Sequence, residues 1–232
     1  MALYYDLHIH SCLSPCADND MTPANICAMA RLKGLHMIAV TDHQSAGNLR
    51  AMDACARREG LTLVPGMEVC TREEAHVLAY FDHLEAAERM GAWCTGHLPE
   101  IRNRPALFGD QLYVDEHDRV TGQEDTLLLA ALDAGLSAVC DTIRALGGVP
   151  VPAHINRGAN GLLGALGMIP KEEGFTALEI SDGLPLSCDV SGFVLLRSSD
   201  AHRLGDIAEA TQALEIENCP RALLSLLRQQ EC

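Results

Sequence analysis

The sequence predicts an α/β fold made of repeated strand–helix units, and three observations carry that prediction. Short apolar runs of strand length alternate with longer amphipathic stretches, several opened by a cap or proline and closed by glycine. Five histidines and three acids recur directly after the apolar runs, at the ends where β/α barrels build their active sites. The chain has 232 residues, 48% of them hydrophobic, enough for one core, and a β/α barrel of this length forms a single domain.

Taken in order, Leu3 to His10 is the first strand, and His8 and His10 point to one face because side chains alternate with period 2. A polar loop, Ser11 to Asp20, leads to Thr22-Pro23, an N-cap and first-turn proline that open a helix to about Lys33, ended by Gly34. His36 to Thr41 is the second strand, followed by Asp42-His43, a helix from about Gly47 to Glu59 and the terminator Gly60. Leu61 to Pro65 is the third strand, running out at Gly66-Met67-Glu68, and His76 to Phe81 is the fourth. This spacing implies parallel units. Residues 84–125 then leave the rhythm: Glu85 to Gly96 reads as helix, and 111–115 with 119–122 as a small hairpin. Its Arg102, Arg104, His97 and His117 read as surface residues. The repeat resumes with a helix from about Thr126 to Leu146, strands at 149–154, 175–180, 193–199 and 211–216, and a last helix from about Pro220 to Gln229.

Composition narrows the function. A formal net charge of −15 repels a phosphate backbone, so non-specific nucleic-acid binding is not expected. A small phosphorylated substrate is still admissible, because bound cations can dominate the local field. No apolar run approaches the ~20 residues that span a bilayer, and no secretory leader is read at the N-terminus, so a cytoplasmic protein without membrane contact is expected. Ten cysteines without a C-x-x-C pair read as reduced thiols, several of them small core residues.

The chemistry lies in the residues after the strands. Imidazole is the commonest metal ligand, and burying several histidines beside carboxylates calls for a compensating cation. The segments Asp6-Leu7-His8-Ile9-His10-Ser11, Val40-Thr41-Asp42-His43, Gly66-Met67-Glu68, Pro152-Ala153-His154 and Ser199-Asp200-Ala201-His202 span residues 6 to 202. Together they resemble the PHP (polymerase and histidinol phosphatase) family of metal-dependent phosphoesterases. The resemblance implies a distorted seven-stranded, TIM-like β/α barrel, with 84–125 as a small excursion.

It also implies two or three divalent ions of zinc, manganese or iron. His8, His10, Glu68 and Asp200 would hold the first, with Glu68 bridging to a second bound by His154 and His76. His43 and His202 would serve a third, completed from the loop after His10, where Asp18 is taken, Cys16 is the rival, and no ligand at all is the remaining option. His76 is preferred over His83, at the far end of the same strand. Arg157 is the candidate phosphate holder, since a guanidinium matches phosphate oxygens bidentately, a loop salt bridge being the alternative. Asp42 and His202 are candidate assisting residues, and Asp42 or Glu179 could orient a ligand imidazole.

The implied reaction is hydrolysis of phosphate esters of small metabolites or nucleotides by metal-activated water. Ser14 and Ser199 lack the G-x-S-x-G elbow of a nucleophile. The alternatives are an amidohydrolase-type enzyme using the same water, or a non-catalytic metal-binding domain.

Overall fold

The computed structural model describes residues 2–229. Strands β1 (Leu3–Ile9), β2 (Met37–Val40) and β3 (Thr62–Cys70) lie parallel, connected by helices α1 (Pro23–Leu32) and α2 (Leu49–Glu59). These strands are almost wholly buried, which is why they read as unbroken apolar runs. Gly60 closes α2 at φ 70°, the left-handed conformation in which a side chain is strained.

The parallel repeat stops at β3. The next strand, β4 (His76–Tyr80), pairs antiparallel with β3, in the register Cys70↔His76 and Glu68↔Leu78. The connector between them is five residues long, too short for the dozen or more that a parallel crossover needs. The uniformly parallel order expected from spacing is therefore corrected, with a consequence for the site. Because β4 runs backwards, its first residue, His76, sits at the same rim as the C-terminal ends of β1–β3.

The chain continues through α3 (Leu84–Thr95), α4 (Pro105–Phe108), the hairpin β5 (Leu112–Val114) and β6 (Val120–Gln123), α5 (Leu136–Ala145) and β7 (Val149–Pro152). After these come α6 (Leu162–Leu166), β8 (Ala177–Glu179), β9 (Val194–Leu196), β10 (Ala213–Leu214) and α7 (Pro220–Leu227). Six strands form a curled sheet in the order β10-β1-β2-β3-β4-β7, and β8-β9 is a separate parallel pair. A few backbone bonds tie that pair in: Ile155 N–H donates to Glu179 O at 3.0 Å, Ala201 N–H to His8 O at 3.2 Å, and His10 N–H to Ala201 O at 2.9 Å. The hydrogen-bonded ladder thus follows a curled partial barrel, not an unbroken seven-strand ring. Inside the curl pack Leu7, Met37, Leu78, Tyr80, Val151 and Leu223, while a second apolar layer joins the sheet to its helices.

The helix expected over 126–146 begins only at Leu136. Buried Gln111 holds residues 124–128 out of helix: its amide donates to Glu124 O and Thr126 O, and its oxygen accepts from Leu128 N–H. Within 84–125, α3 packs on β3 like the earlier helices. Asn48 anchors the hairpin at the rim, accepting from Val114 N–H at 3.1 Å and donating to Leu112 O at 3.0 Å. Arg102, Arg104 and His117 are exposed and His97 is half-buried.

Candidate metal centre

Glu68, at the end of β3, is the hub. Its Oε1 lies 2.8 Å from His76 Nδ1, 3.0 Å from His154 Nε2 and 3.5 Å from His8 Nε2. Its Oε2 lies 3.2 Å from His43 Nδ1 and 3.4 Å from His10 Nε2. One buried carboxylate therefore faces five imidazoles. Asp200 supplies a second carboxylate, with Oδ1 3.1 Å from His10 Nε2 and 3.3 Å from His8 Nε2. The strand ends place these groups: β1 brings His8 and His10, the turn after β2 His43, the start of β4 His76, the turn after β7 His154, and the turn after β9 Asp200 and His202.

The outer nitrogens fix which face of each ring looks inward. His8 Nδ1–H donates to Glu179 at 2.9 Å, which leaves Nε2 as the lone pair. Ser14 O–H donates to Asp42 at 2.7 Å, so its oxygen accepts from His10 Nδ1–H at 2.9 Å, and again Nε2 faces inward. His202 Nδ1–H donates to Asp200 O at 2.8 Å, with the same result. Asp42 is thus a positioning group, held by Ser11 N–H and Ser11 O–H as well, and acts on His10 through Ser14. Ser14 is buried and its proton points at Asp42, which agrees with its exclusion as a nucleophile.

This donor set fits divalent cations. His8 Nε2 and His10 Nε2, both lone-pair atoms, face each other at 3.2 Å beside two carboxylates, an arrangement that is repulsive without positive charge between them. The buried Nδ1 atoms of His43 and His154 have no hydrogen-bond partner. Burial and the rings of His10, His76 and His202 push His43 well below its ordinary pKa against the pull of Glu68, so it is a neutral donor. Burial opposes ionisation of Glu68 and Asp200, yet the surrounding imidazoles hold both well below the usual carboxylate range. Three donor groups have atoms within 4.8 Å of one another: His8, His10 and Asp200; His43, Glu68 and His76; His10, Cys16, His43 and His202. Two residues of the centre sit in strained backbone, His154 at φ 29° and Asp200 at φ 53°.

Of the residues expected at the site, Asp18 alone among the ligands is placed elsewhere. Its side chain is exposed, 3.6 Å from the Arg203 guanidinium, and the neighbouring Cys16 takes its place in the cluster. The Asp18 assignment is corrected accordingly. The loop turns back at Cys16, because Asp18 N–H donates outward to His202 O at 2.9 Å. His83 is exposed beside Asp82, at the start of α3 and far along the strand from the rim. Arg157 stands on the wall of a cleft of about 450 Å³ that opens over the cluster, its guanidinium on the Asp200 carboxylate. Leu129 and Ala131, at the turn that follows the residues held by Gln111, line the same cleft.

Asp6 and Ser14 are contributors that sequence reasoning missed. Buried Asp6 accepts from Ser199 N–H, Ser199 O–H and Ala208 N–H, clamping the turn that carries Asp200 and His202 onto β1. A carboxylate two residues before H-x-H was the available signal.

A model of the PHP domain matches residues 6–146. The chain belongs to the PHP domain family. A 5'-3' exoribonuclease from Haemophilus influenzae is 30% identical over 74 residues, 32% of this chain and 26% of that protein. The lesion-specific endonuclease PfuEndoQ from Pyrococcus furiosus superposes with a TM-score of 0.69 at 17% identity, over 99% of this chain and 56% of its own. A candidate metal-dependent phosphoesterase from Bifidobacterium adolescentis gives a TM-score of 0.64 at 18% identity, covering 97% and 96%. The PHP chain described here thus spans about a quarter of the exoribonuclease and just over half of the endonuclease.

One expectation is overturned by these neighbours. Endonuclease Q, solved with a 27-mer duplex carrying an abasic lesion at its active site, has this fold, with a TM-score of 0.60 at 18% identity over 88% of this chain and 50% of its own. A small substrate with nucleic acid set aside cannot therefore be argued from net charge. The charge of −15 is a sum over the whole surface and does not describe the cleft, where Arg157 stands beside a cation-seeking cluster.

Proposed function

We propose that this PHP domain is a metal-dependent phosphoesterase whose substrates include the phosphodiesters of nucleic acid strands. The convergence of five imidazoles on Glu68 beneath Arg157 carries this reading. Two or three divalent ions of zinc, manganese or iron would be held by His8, His10, Glu68, Asp200, His43, His76, His154 and His202. Such ions supply a Lewis acid and lower the pKa of water toward ~7.

The chain's own residues do the rest. Arg157, now on Asp200, is placed to turn its remaining N–H groups to phosphate oxygens in the cleft. Glu179, and Asp42 through Ser14, hold His8 and His10 in the tautomer that presents Nε2. The wall at Leu129 and Ala131 gives the cleft an apolar side that narrows access for water. The nine described thiols are all free, which fits the reducing conditions of a cytoplasm.

The test is a panel of phosphomonoesters, phosphodiesters and short RNA and DNA strands, assayed with chelated and metal-replete protein. Metal-dependent turnover of at least one class is expected, with Arg157→Ala raising KM roughly tenfold or more at unchanged metal content, about the loss of one charged hydrogen bond. Metal-replete protein without turnover on any member would end the proposal.

A further inference from the structure

One cluster in the centre uses a donor of a different kind. His10, Cys16, His43 and His202 each offer an atom within 4.8 Å of the others. His10 and His43 also belong to the other two clusters, so Cys16 and His202 are the donors found in this one alone. His202 already presents its Nε2 lone pair, and the buried His43 Nδ1 lacks a hydrogen-bond partner.

The thiol is held in place by backbone on both sides. Asp18 N–H donates to His202 O at 2.9 Å, tying the Cys16 loop to the turn that carries its co-donor. Leu112 N–H donates to Cys12 O at 2.8 Å, so the β5–β6 hairpin braces the other limb. Gly109, at φ 99°, approaches so closely that a Cβ there would lie 2.0 Å from Pro15 O. The 105–123 excursion therefore does structural work on this loop: it presses the residue before Cys16 toward the rim.

We propose that Cys16 Sγ is a metal ligand, giving this PHP domain one mixed thiolate–imidazole site selective for zinc beside its imidazole–carboxylate sites. A thiolate is a soft donor that favours zinc over manganese, whereas imidazole and carboxylate discriminate less. On binding, the Sγ–H proton leaves to solvent and the sulfur pair is donated to the cation, with no change of oxidation state. The inference rests on the cluster being a metal centre, as the proposed function does, but not on any particular reaction.

Cobalt substitution reads it directly, because sulfur bound to Co(II) adds a near-ultraviolet charge-transfer band that nitrogen and oxygen ligands do not give. The protein is stripped with a chelator, titrated with CoCl2, and compared with Cys16→Ser and Cys70→Ser, since Cys70 also lines the cleft. Expected is a band in the native protein and in Cys70→Ser that disappears in Cys16→Ser, together with the loss of one equivalent of tightly bound zinc. X-ray absorption of the zinc form should show one sulfur at about 2.3 Å in the native protein and in Cys70→Ser, and none in Cys16→Ser. Cobalt binding without a sulfur band, or a band that survives Cys16→Ser, overturns the proposal and leaves the phosphoesterase reading standing. No cobalt binding at all overturns both, and a Cys16-dependent band without phosphoester turnover upholds this proposal against the other. Should Cys16→Ser fail to fold, circular dichroism will show it, and His202→Gln serves instead, with loss of the same zinc equivalent expected and its retention overturning the proposal.

Discussion

At the scale of single residues, the imidazoles matter less for being histidines than for which nitrogen each presents. Ser14 is the sharpest case, because one hydroxyl both donates to Asp42 and accepts from His10 Nδ1. Removing it frees the His10 ring to tumble to the wrong tautomer and leaves the buried His10 Nδ1–H and His43 N–H without their acceptor. Ser14→Ala should therefore lower affinity for one cation by roughly 10–100-fold while circular dichroism stays native. Competition against a fluorescent chelator measures it, and unchanged affinity would show that Ser14 is only packing. The donor residues of the cluster were legible in the sequence because most follow an apolar run and His76 opens one. Their supports were not: Ser14 lies in an irregular loop, and Glu179 is one of many acids. The choice of Cys16 over Asp18 turned on where that loop reverses, which a backbone bond to His202 decides, 184 residues downstream of Asp18.

At the scale of elements, the first three strands and their two helices were legible from alternation alone, since parallel units repeat with a period that the sequence displays. The reversal at β4 was not read, although its signal was present in a connector too short for a crossover helix. The helix assigned over 126–146 failed for a different reason: apolar periodicity ran on through residues that the Gln111 side chain holds out of helix. Helix α6 makes a further prediction. A Cβ on Gly164 would lie 2.0 Å from Gly158 O and 3.1 Å from Arg157 O, so α6 is the floor under the turn that aims Arg157. Gly164→Ala must push that turn outward, and a displacement of 1 Å at a substrate-positioning group can cost ~100-fold. Expected is a phosphoester KM raised tenfold or more, with metal content unchanged and stability lower by about 1–3 kcal/mol. Native KM in this variant would mean that α6 does not position the guanidinium.

At the scale of the whole molecule, the centre stitches the curled sheet shut. β1, β2, β3, β4, β7 and β9 each send a side chain to it from their own end or the turn beside it, while among the described residues the β8–β9 pair shares no strand ladder with the six-stranded sheet and is joined to it by a few backbone and side-chain bonds. Cations bound there would act as cross-links across this seam, and in their absence protons take over some of that role. Burial disfavours charge on His76, yet the Glu68 carboxylate and its hydrogen bonds outweigh burial and push the ring up to about 10. His8 and His10 are raised in the same sense, by Glu179, Glu68 and Asp200 against burial. An imidazole whose folded pKa lies above its unfolded value of about 6.5 contributes stability that is complete below 6.5 and is lost as pH climbs toward the folded value. Glu68 and Asp200, held low, stay ionised throughout that window and add no slope. Chelator-stripped protein should therefore lose thermal stability from pH 6.5 to 10, while loaded protein, its imidazoles committed to cations, should hold. At neutral pH one cation at a hundred times its Kd contributes about 2.7 kcal/mol. In a domain of this size, each kcal/mol moves Tm by roughly 2–4 °C, so the gap between loaded and stripped protein begins at about 5–10 °C. It should widen with rising pH. Melting curves with and without zinc across that range decide the matter, and coincident curves at every pH would mean that no cation cross-links this rim.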